Sequence, residues 1–299
     1  MCIRDRFIST HNGDVLKGIL EAGSKKVRVI RLRREGKVNV ARELNNDRIA
    51  ELWNDPLLRY SDILDGVFHE KVIVTEADGD ARFFSAIAER LTDTPDEDVR
   101  KPAVKFVHCG GKDRLNVVVR ALTAIEVPVI AVADFDVLSG ENPLRKIVQA
   151  AGGSWSVIQP FWKVVWSAID EKKPDFKTPE VKAKIEEILA GVTEETFPKK
   201  AKSDIKEIFK RSTPWSNAKA TGKSYVPNGT ASEKYAELIA GLRKLGLFIV
   251  EVGELENFYK KGSNHGPVWV NQVLEKDLKE DPDLAEARQF VKEMLDWKR

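Results

Sequence analysis

Apolar residues in this chain gather into short unbroken runs, each closed by acids or glycines and followed by a stretch of helical period. From about Phe68, "KVIVTEADGDARFFSAIAERL" predicts a buried strand, an acidic turn and a helix whose stripe is Ala81, Phe84, Ile87 and Leu91. "AVKFVHCGGKDRLNVVVRAL" repeats strand, turn and helix, with Gly110-Gly111 at the turn. "VPVIAVADFDVLSG" predicts a third buried strand ending in acids, and "GLFIVEVGELENFY" a fourth. Continuous rather than alternating apolar runs suit strands of a parallel sheet covered on both faces, so the expected class is α/β.

Between the third and fourth strands lies a long helical insertion, about 153–241. Thr178-Pro179-Glu180 predicts a helix start, followed by Val181, Ile185, Ile188 and Leu189 at helical spacing. Ser203 opens a helix carrying Ile205, Ile208 and Phe209, "TPWSNAKATGKSYVPNGTAS" reads as loop, and Ser232 starts the helix that returns to the sheet. Trp162 and Trp166, four apart on an apolar segment, read as core. The tail from Asp281-Pro282 predicts a helix burying Leu284, Phe290, Val291 and Leu295.

The first 66 residues form a different unit. "FIST" predicts a short strand, "HNGDVLKGILEAG" a loop and helix, and "KVRVIRLRREGKVNVARELN" two strands around Glu35-Gly36. Asn46 or Asp47 would cap a helix carrying Ile49, Leu52 and Leu57, while Met1–Arg6 look foreign to the strand that they precede. The expected division is therefore 1–66 and 67–299.

Composition narrows the partners. Net charge is only +2, so affinity for nucleic acid must come from local patches. Arg28, Arg31, Arg33 and Arg34 make one. Lys199, Lys200, Lys202, Lys206, Lys210 and Arg211 make another, although their alternation with acids reads as a solvated helix face. No apolar run reaches the roughly 20 residues of a membrane helix, and no signal peptide is visible. With Cys2 and Cys109 as the only cysteines, a reducing cytoplasm is the simpler location.

The candidate chemistry sits at strand ends. Glu76 closes the first strand and Asp80 lies four residues on; Asp134 and Asp136 close the third; Glu254 and Glu256 follow the fourth. Ligands of open α/β sheets bind outside the carboxyl ends of the strands, so these acids can share one crevice. Gathered carboxylates repel and raise one another's pKa, and a hard divalent cation relieves this. Taken singly, Asp80 is an ordinary helix cap and Asp-x-Asp a weak signal.

At "VTEADGD" and "VADFD" the pattern resembles the Toprim (topoisomerase–primase) domain. The Glu76–Asp80 spacing and the later "GELENFY" resemble the OLD (overcoming lysogenization defect) nucleases, which join an ABC-type ATPase to a C-terminal Toprim nuclease. The resemblance spans about 68–259. It implies a Rossmann-like parallel sheet flanked by helices and two-metal cleavage of DNA by Mg²⁺ or Mn²⁺. The implied ligands are Glu76, Asp80, Asp134 and Asp136, with Glu254 and Glu256 less firmly placed. A homodimer is a further expectation. The family also uses a basic residue near the metals: Lys112 is preferred here over Lys260 and Lys261, since "CGGKDR" lies at a strand end.

"FISTHNGDVL" resembles the last strand and switch-histidine loop of an ABC ATPase, with His11 at the nucleotide. No G-x-x-x-x-G-K-[ST] phosphate loop is present, "GGKDR" and "TGKS" being fragments of one. The expectation is a C-terminal ATPase remnant, its N-terminal portion missing, that does not bind ATP by itself. Within the insertion, Trp215, Lys219, Lys223 and Tyr225 form either a DNA-touching surface or a loop packed on the sheet. His265, after the acidic motif, has two readings, a role near the metals and, the simpler, a structural loop histidine. Beside a Toprim enzyme of another chemistry, such as primer synthesis or strand passage (the latter needing a catalytic tyrosine domain that nothing here suggests), two rival functions stand. One is a phosphatase resembling haloacid dehalogenases, with Asp134 as nucleophile and Asp136 as acid/base. The other is a module that only binds DNA or dimerises.

Overall fold

The computed structural model describes residues 7–21, 27–44, 62–93, 103–172, 177–210, 213–262 and 265–299. The chain begins with helix α1 (Gly13–Glu21) and the hairpin β1 (Val29–Glu35) and β2 (Val38–Leu44). After a 3-10 turn at Asp62–Phe68 come β3 (Lys71–Thr75), α2 (Asp78–Thr92), β4 (Val104–His108), α3 (Lys112–Ala124) and β5 (Val129–Ala133). A 3-10 turn at Phe135–Ser139 leads into α4 (Glu141–Ala150) and α5 (Trp155–Asp170), then α6 (Thr178–Ala190), α7 (Lys199–Lys210), α8 (Pro214–Thr221) and α9 (Thr230–Lys244). Strand β6 (Leu247–Ile249), α10 (Pro267–Leu274) and α11 (Ala285–Asp296) complete it.

Strands β3 to β6 form one parallel sheet in the order β4-β3-β5-β6. The apolar runs are continuous because the strands are covered on both sides, and alternate residues feed two cores. Val72, Val74, Val129, Ala131, Ala133, Leu247 and Ile249 enter the core under α3, α4, α5 and α9. Ile73, Ile130, Val132 and Phe248 enter the other, where Phe83, Phe84, Phe258, Phe290 and Trp269 interlock with ring centroids 5.2–6.1 Å apart. Ile63 and Val67 of the first 3-10 turn belong to the former core, so that turn, which straddles residue 66, packs with the parallel sheet and its helices.

Lys71, at the start of β3, sends its ammonium to the carbonyls of Met294 (2.9 Å), Leu295 (2.7 Å) and Trp297 (2.6 Å) at the end of α11. Three donors thus meet three carbonyls left without helical partners. Lys71→Met removes those bonds while keeping the apolar stem. The expected loss is about 2 kcal/mol, read as a lower urea midpoint at unchanged m-value.

Several expectations at the level of elements need correction. Residues 7–10 form no strand: Phe7 is 95% exposed and Ile8 66%, so among the described residues their apolar side chains lack the cover that a buried strand needs. The helix placed at Ser203 begins at Lys199, and the one placed at Ser232 begins at Thr230. "TPWSNAKAT" is helix α8 rather than loop. Thr213 caps it by accepting from the Ser216 N–H at 3.2 Å, and Pro214 occupies the first turn; α6 also carries a Pro in its first turn, but there Thr178 is already helical and Lys177 stands at the cap. The helix expected after Asn46 or Asp47, residues Met1–Arg6, Cys2 and Arg211 lie outside the described residues. Among the described residues no helix is long and apolar enough to cross a membrane.

Candidate metal centre

Three strand ends deliver the acids to one hollow at the carboxyl edge of the sheet. Glu76 follows β3 directly, and its Oε1 accepts a hydrogen bond from the Asp134 backbone N–H, just past β5, at 3.2 Å. Two backbone bonds extend the β5–β6 pairing beyond the strands: Val250 N–H to Ala133 O and Phe135 N–H to Gly253 O, each 2.9 Å. They bring the Glu254 segment alongside Asp134 and Asp136. Asp80, in the first turn of α2, accepts from the Ala77 N–H at 3.0 Å, which fixes its carboxylate beside the same hollow.

The turn holding Asp136 is gripped from the insertion. Trp162 and Trp166 on α5 donate their indole N–H groups to the carbonyls of Leu138 (2.8 Å) and Ser139 (2.9 Å). Trp162 is buried and Trp166 half-buried, as core residues would be, and both also position the turn, a consequence that spacing did not reveal.

Two lysines converge on these acids. Lys112, first residue of α3, reaches Asp136 Oδ2 at 3.1 Å. Lys219, on α8, lies 3.2 Å from Asp134 Oδ2 and 3.8 Å from Asp136 Oδ2. Glycines permit that approach. Gly222 (φ +63°) and Gly253 (φ +113°) let the end of α8 press against the loop after β6; a Cβ on Gly222 would strike the Glu251 carbonyl, and one on Gly253 the Lys219 carbonyl. Asn257 ties the two segments by donating to Ala220 O and Val252 O, both at 2.9 Å.

The electrostatics reflect six carboxylates facing two lysines. Burial, and then the charges of Asp134, Asp136 and Asp80, push Glu76 from its ordinary 4.5 up to about 7, against the opposing hydrogen bond from Asp134. Burial also raises Asp134 from 3.8 to about 6 despite Lys219, with Asp80 and Asp136 adding to the rise. Asp80 is raised by burial and by Glu256; Glu254 is raised by burial and by Glu256. Burial draws Lys219 down, but Asp134 and Asp136 more than offset it, leaving its pKa raised. Asp136 Oδ1 is shielded from solvent and has no hydrogen-bond partner among the described residues. Excess negative charge and an unsatisfied buried acceptor together fit a divalent cation held through oxygen.

The metal-free protein should show a pH dependence. Glu76 and Asp134 bind protons more tightly when folded, so their contribution to stability is complete below their ordinary pKa values and is lost as pH rises through about 6 to 7. Glu76→Gln keeps an oxygen to accept from Asp134 but cannot ionise. Its stability should match wild type near pH 4 and exceed it by on the order of 1–2 kcal/mol at pH 8 in EDTA, visible as a melting temperature a few degrees higher.

Other candidate residues lie elsewhere. Lys223 pairs with Glu286 at 3.8 Å, and Lys261 pairs with Asp283; Lys260 is exposed. Trp215 is half-buried against the core with its indole nitrogen shielded from solvent, and Lys172 stacks over the Tyr225 ring at 3.8 Å, so both aromatics pack inward. His11 is exposed in the loop before α1. Cys109 is a buried free thiol whose pKa burial raises to about 11. Two features are invisible in the sequence. Lys219, expected as a DNA contact, joins the acids, and His265 lies beside Glu254 and Glu256, with ligand atoms of all three within 4.8 Å of one another. Neither proximity has a local signature, since each depends on long-range folding.

Residues 67–136 match the family model described as "Overcoming lysogenization defect protein-like, TOPRIM domain". That span holds Glu76, Asp80, Lys112, Asp134 and Asp136, and stops before Lys219, Glu254 and Glu256. No curated protein matches the chain. The four-stranded parallel sheet flanked by helices is consistent with the Rossmann-like Toprim fold. A domain of this kind points to metal-dependent chemistry of the nuclease or topoisomerase type.

Proposed function

We propose that the chain is a divalent-metal-dependent DNA endonuclease of OLD-like type, hydrolysing phosphodiester bonds by a two-metal mechanism. The observation that carries this reading is the contact between Glu76 and the Asp134 backbone, with Asp136 and two lysines at the same place. Glu76, Asp80, Asp134 and Asp136 would hold Mg²⁺ or Mn²⁺, with Glu254 and Glu256 completing the set. Bound there, the ions would supply Lewis acidity and a water of lowered pKa.

The chain's own groups do the rest. Carboxylates from three strand ends fix the position of the phosphate by fixing its counter-charges. Lys219 is the better placed of the two lysines to meet charge that develops on the phosphate oxygens, since it bridges Asp134 and Asp136 from α8. Among the described residues Lys112 makes its ion pair with Asp136 and serves to orient it. DNA is the substrate. In this reading the residues before about 66 belong to an ATPase portion that normally governs cleavage, with His11 at its switch loop, and the working unit is a homodimer. A phosphatase using Asp134 as nucleophile would leave Glu76, bonded to the Asp134 backbone, without a task.

The test is conversion of supercoiled plasmid to nicked or linear DNA with Mg²⁺ or Mn²⁺, against EDTA and against Asp134→Ala. Metal-dependent cleavage that vanishes in the variant supports the nuclease. DNA binding without cleavage under every metal condition refutes it in favour of a binding module. Release of phosphate from small monoesters with intact plasmid refutes it in favour of the phosphatase.

A further inference from the structure

Glu254 and Glu256 stand two apart on the segment after β6, and His265 reaches them from the loop before α10. One ligand atom from each lies within 4.8 Å of the other two, so a single cation can touch all three. The arrangement is held by backbone. Glu256 Oε1 accepts from the Gly266 N–H at 2.8 Å, which ties the segment after β6 to the residue next to His265. Gly266 (φ +66°) and Pro267 then start α10, which Trp269, only 1% exposed, anchors in the core. Among the described residues no lysine or arginine makes an ion pair with Glu254 or Glu256, whereas the Asp134–Asp136 pair has Lys219 and Lys112. The two parts of the acidic hollow thus have different partners at contact distance: lysines at Asp134 and Asp136, and at Glu256 an imidazole whose Nδ1 lies 3.7 Å from Oε1.

We propose that Glu254, Glu256 and His265 form a cation site that takes a first-row transition ion such as Mn²⁺ in preference to Mg²⁺. Magnesium demands oxygen ligands in strict octahedral geometry and gives up its waters reluctantly, whereas first-row transition ions accept imidazole nitrogen readily. His265 is 80% exposed, which leaves its ring free to turn toward an ion and makes its replacement harmless to packing. The inference deepens the endonuclease reading and rests on it for the use of the ion, but occupancy of the site can be read without DNA.

The experiment uses the full chain loaded with Mn²⁺ alone, comparing wild type with His265→Ala. Electron spin echo modulation of the wild-type complex should show coupling to nitrogen, and His265→Ala should lose it. Calorimetric titration should show one Mn²⁺ site weakened about tenfold in the variant, with Mg²⁺ affinity changed less than about twofold. Melting curves of the two metal-free chains should coincide. Nitrogen coupling that persists in His265→Ala would point to another imidazole such as His108 and overturn the proposal, as would an unchanged Mn²⁺ isotherm. Nitrogen coupling lost on His265→Ala, from a wild-type chain that never cleaves DNA, supports this site and refutes the nuclease reading alone.

Discussion

Asp134→Ala should reduce metal-dependent plasmid cleavage by on the order of 10³-fold or more while leaving the fold intact. Asp134 combines three properties that no other acid in the hollow shares. Its backbone receives Glu76, its side chain receives Lys219, and it follows the fully buried strand β5. On the proposed reading, removing its carboxylate would take a ligand from the cation, and it frees Lys219 from its closer aspartate partner. In the metal-free protein the same change relieves repulsion on Glu76, whose raised pKa owes its second largest cause to Asp134. The variant should therefore melt at or above the wild-type temperature in EDTA, and Mn²⁺ should raise that temperature less than it does in wild type. A variant that unfolds, or one that cleaves at the wild-type rate, would contradict this account.

Lys219→Ala should lower kcat about 10²- to 10³-fold with little change in DNA affinity, and Lys112→Ala should lower it no more than about tenfold. The difference comes from position. Lys219 projects from α8, tied to the loop after β6 by Asn257 and by the close approach of Gly222 and Gly253, and it reaches both aspartates. Lys112 reaches one oxygen from a side chain that is 48% exposed. A contact that only holds the DNA backbone would weaken binding and its salt dependence instead, so single-turnover rates at saturating DNA separate the two roles. Equal losses for both variants, or a larger loss for Lys112→Ala, would return the lysine of the reaction to the end of β4, where the sequence alone suggested it.

The hollow has a structural counterpart in the insertion. Helix α5 lies far along the chain from Glu76, yet its tryptophans grip the turn that carries Asp136, and α8 supplies Lys219. Helices α5 and α8 are therefore part of the site's framework and not an appendage to the sheet.

Read by itself, the sequence determined the α/β class, the four parallel strands and the acids at their ends. These are local facts. A buried strand needs an unbroken apolar run, a turn needs glycine or acid, and both are written within ten residues of one another. It misjudged Phe7–Thr10, where Phe7 and Ile8 stand exposed, and α8, where a Thr-Pro start is hidden among polar residues. Tertiary structure alone decided which lysine faces the aspartates and that His265 meets Glu254 and Glu256. Those contacts join segments that the chain separates widely, and their geometry is set by how helices pack on the sheet and by glycines that allow two backbones to touch. Coulombic forces and metal coordination act across space, so a pattern along the chain can nominate the charged groups but only the folded molecule pairs them.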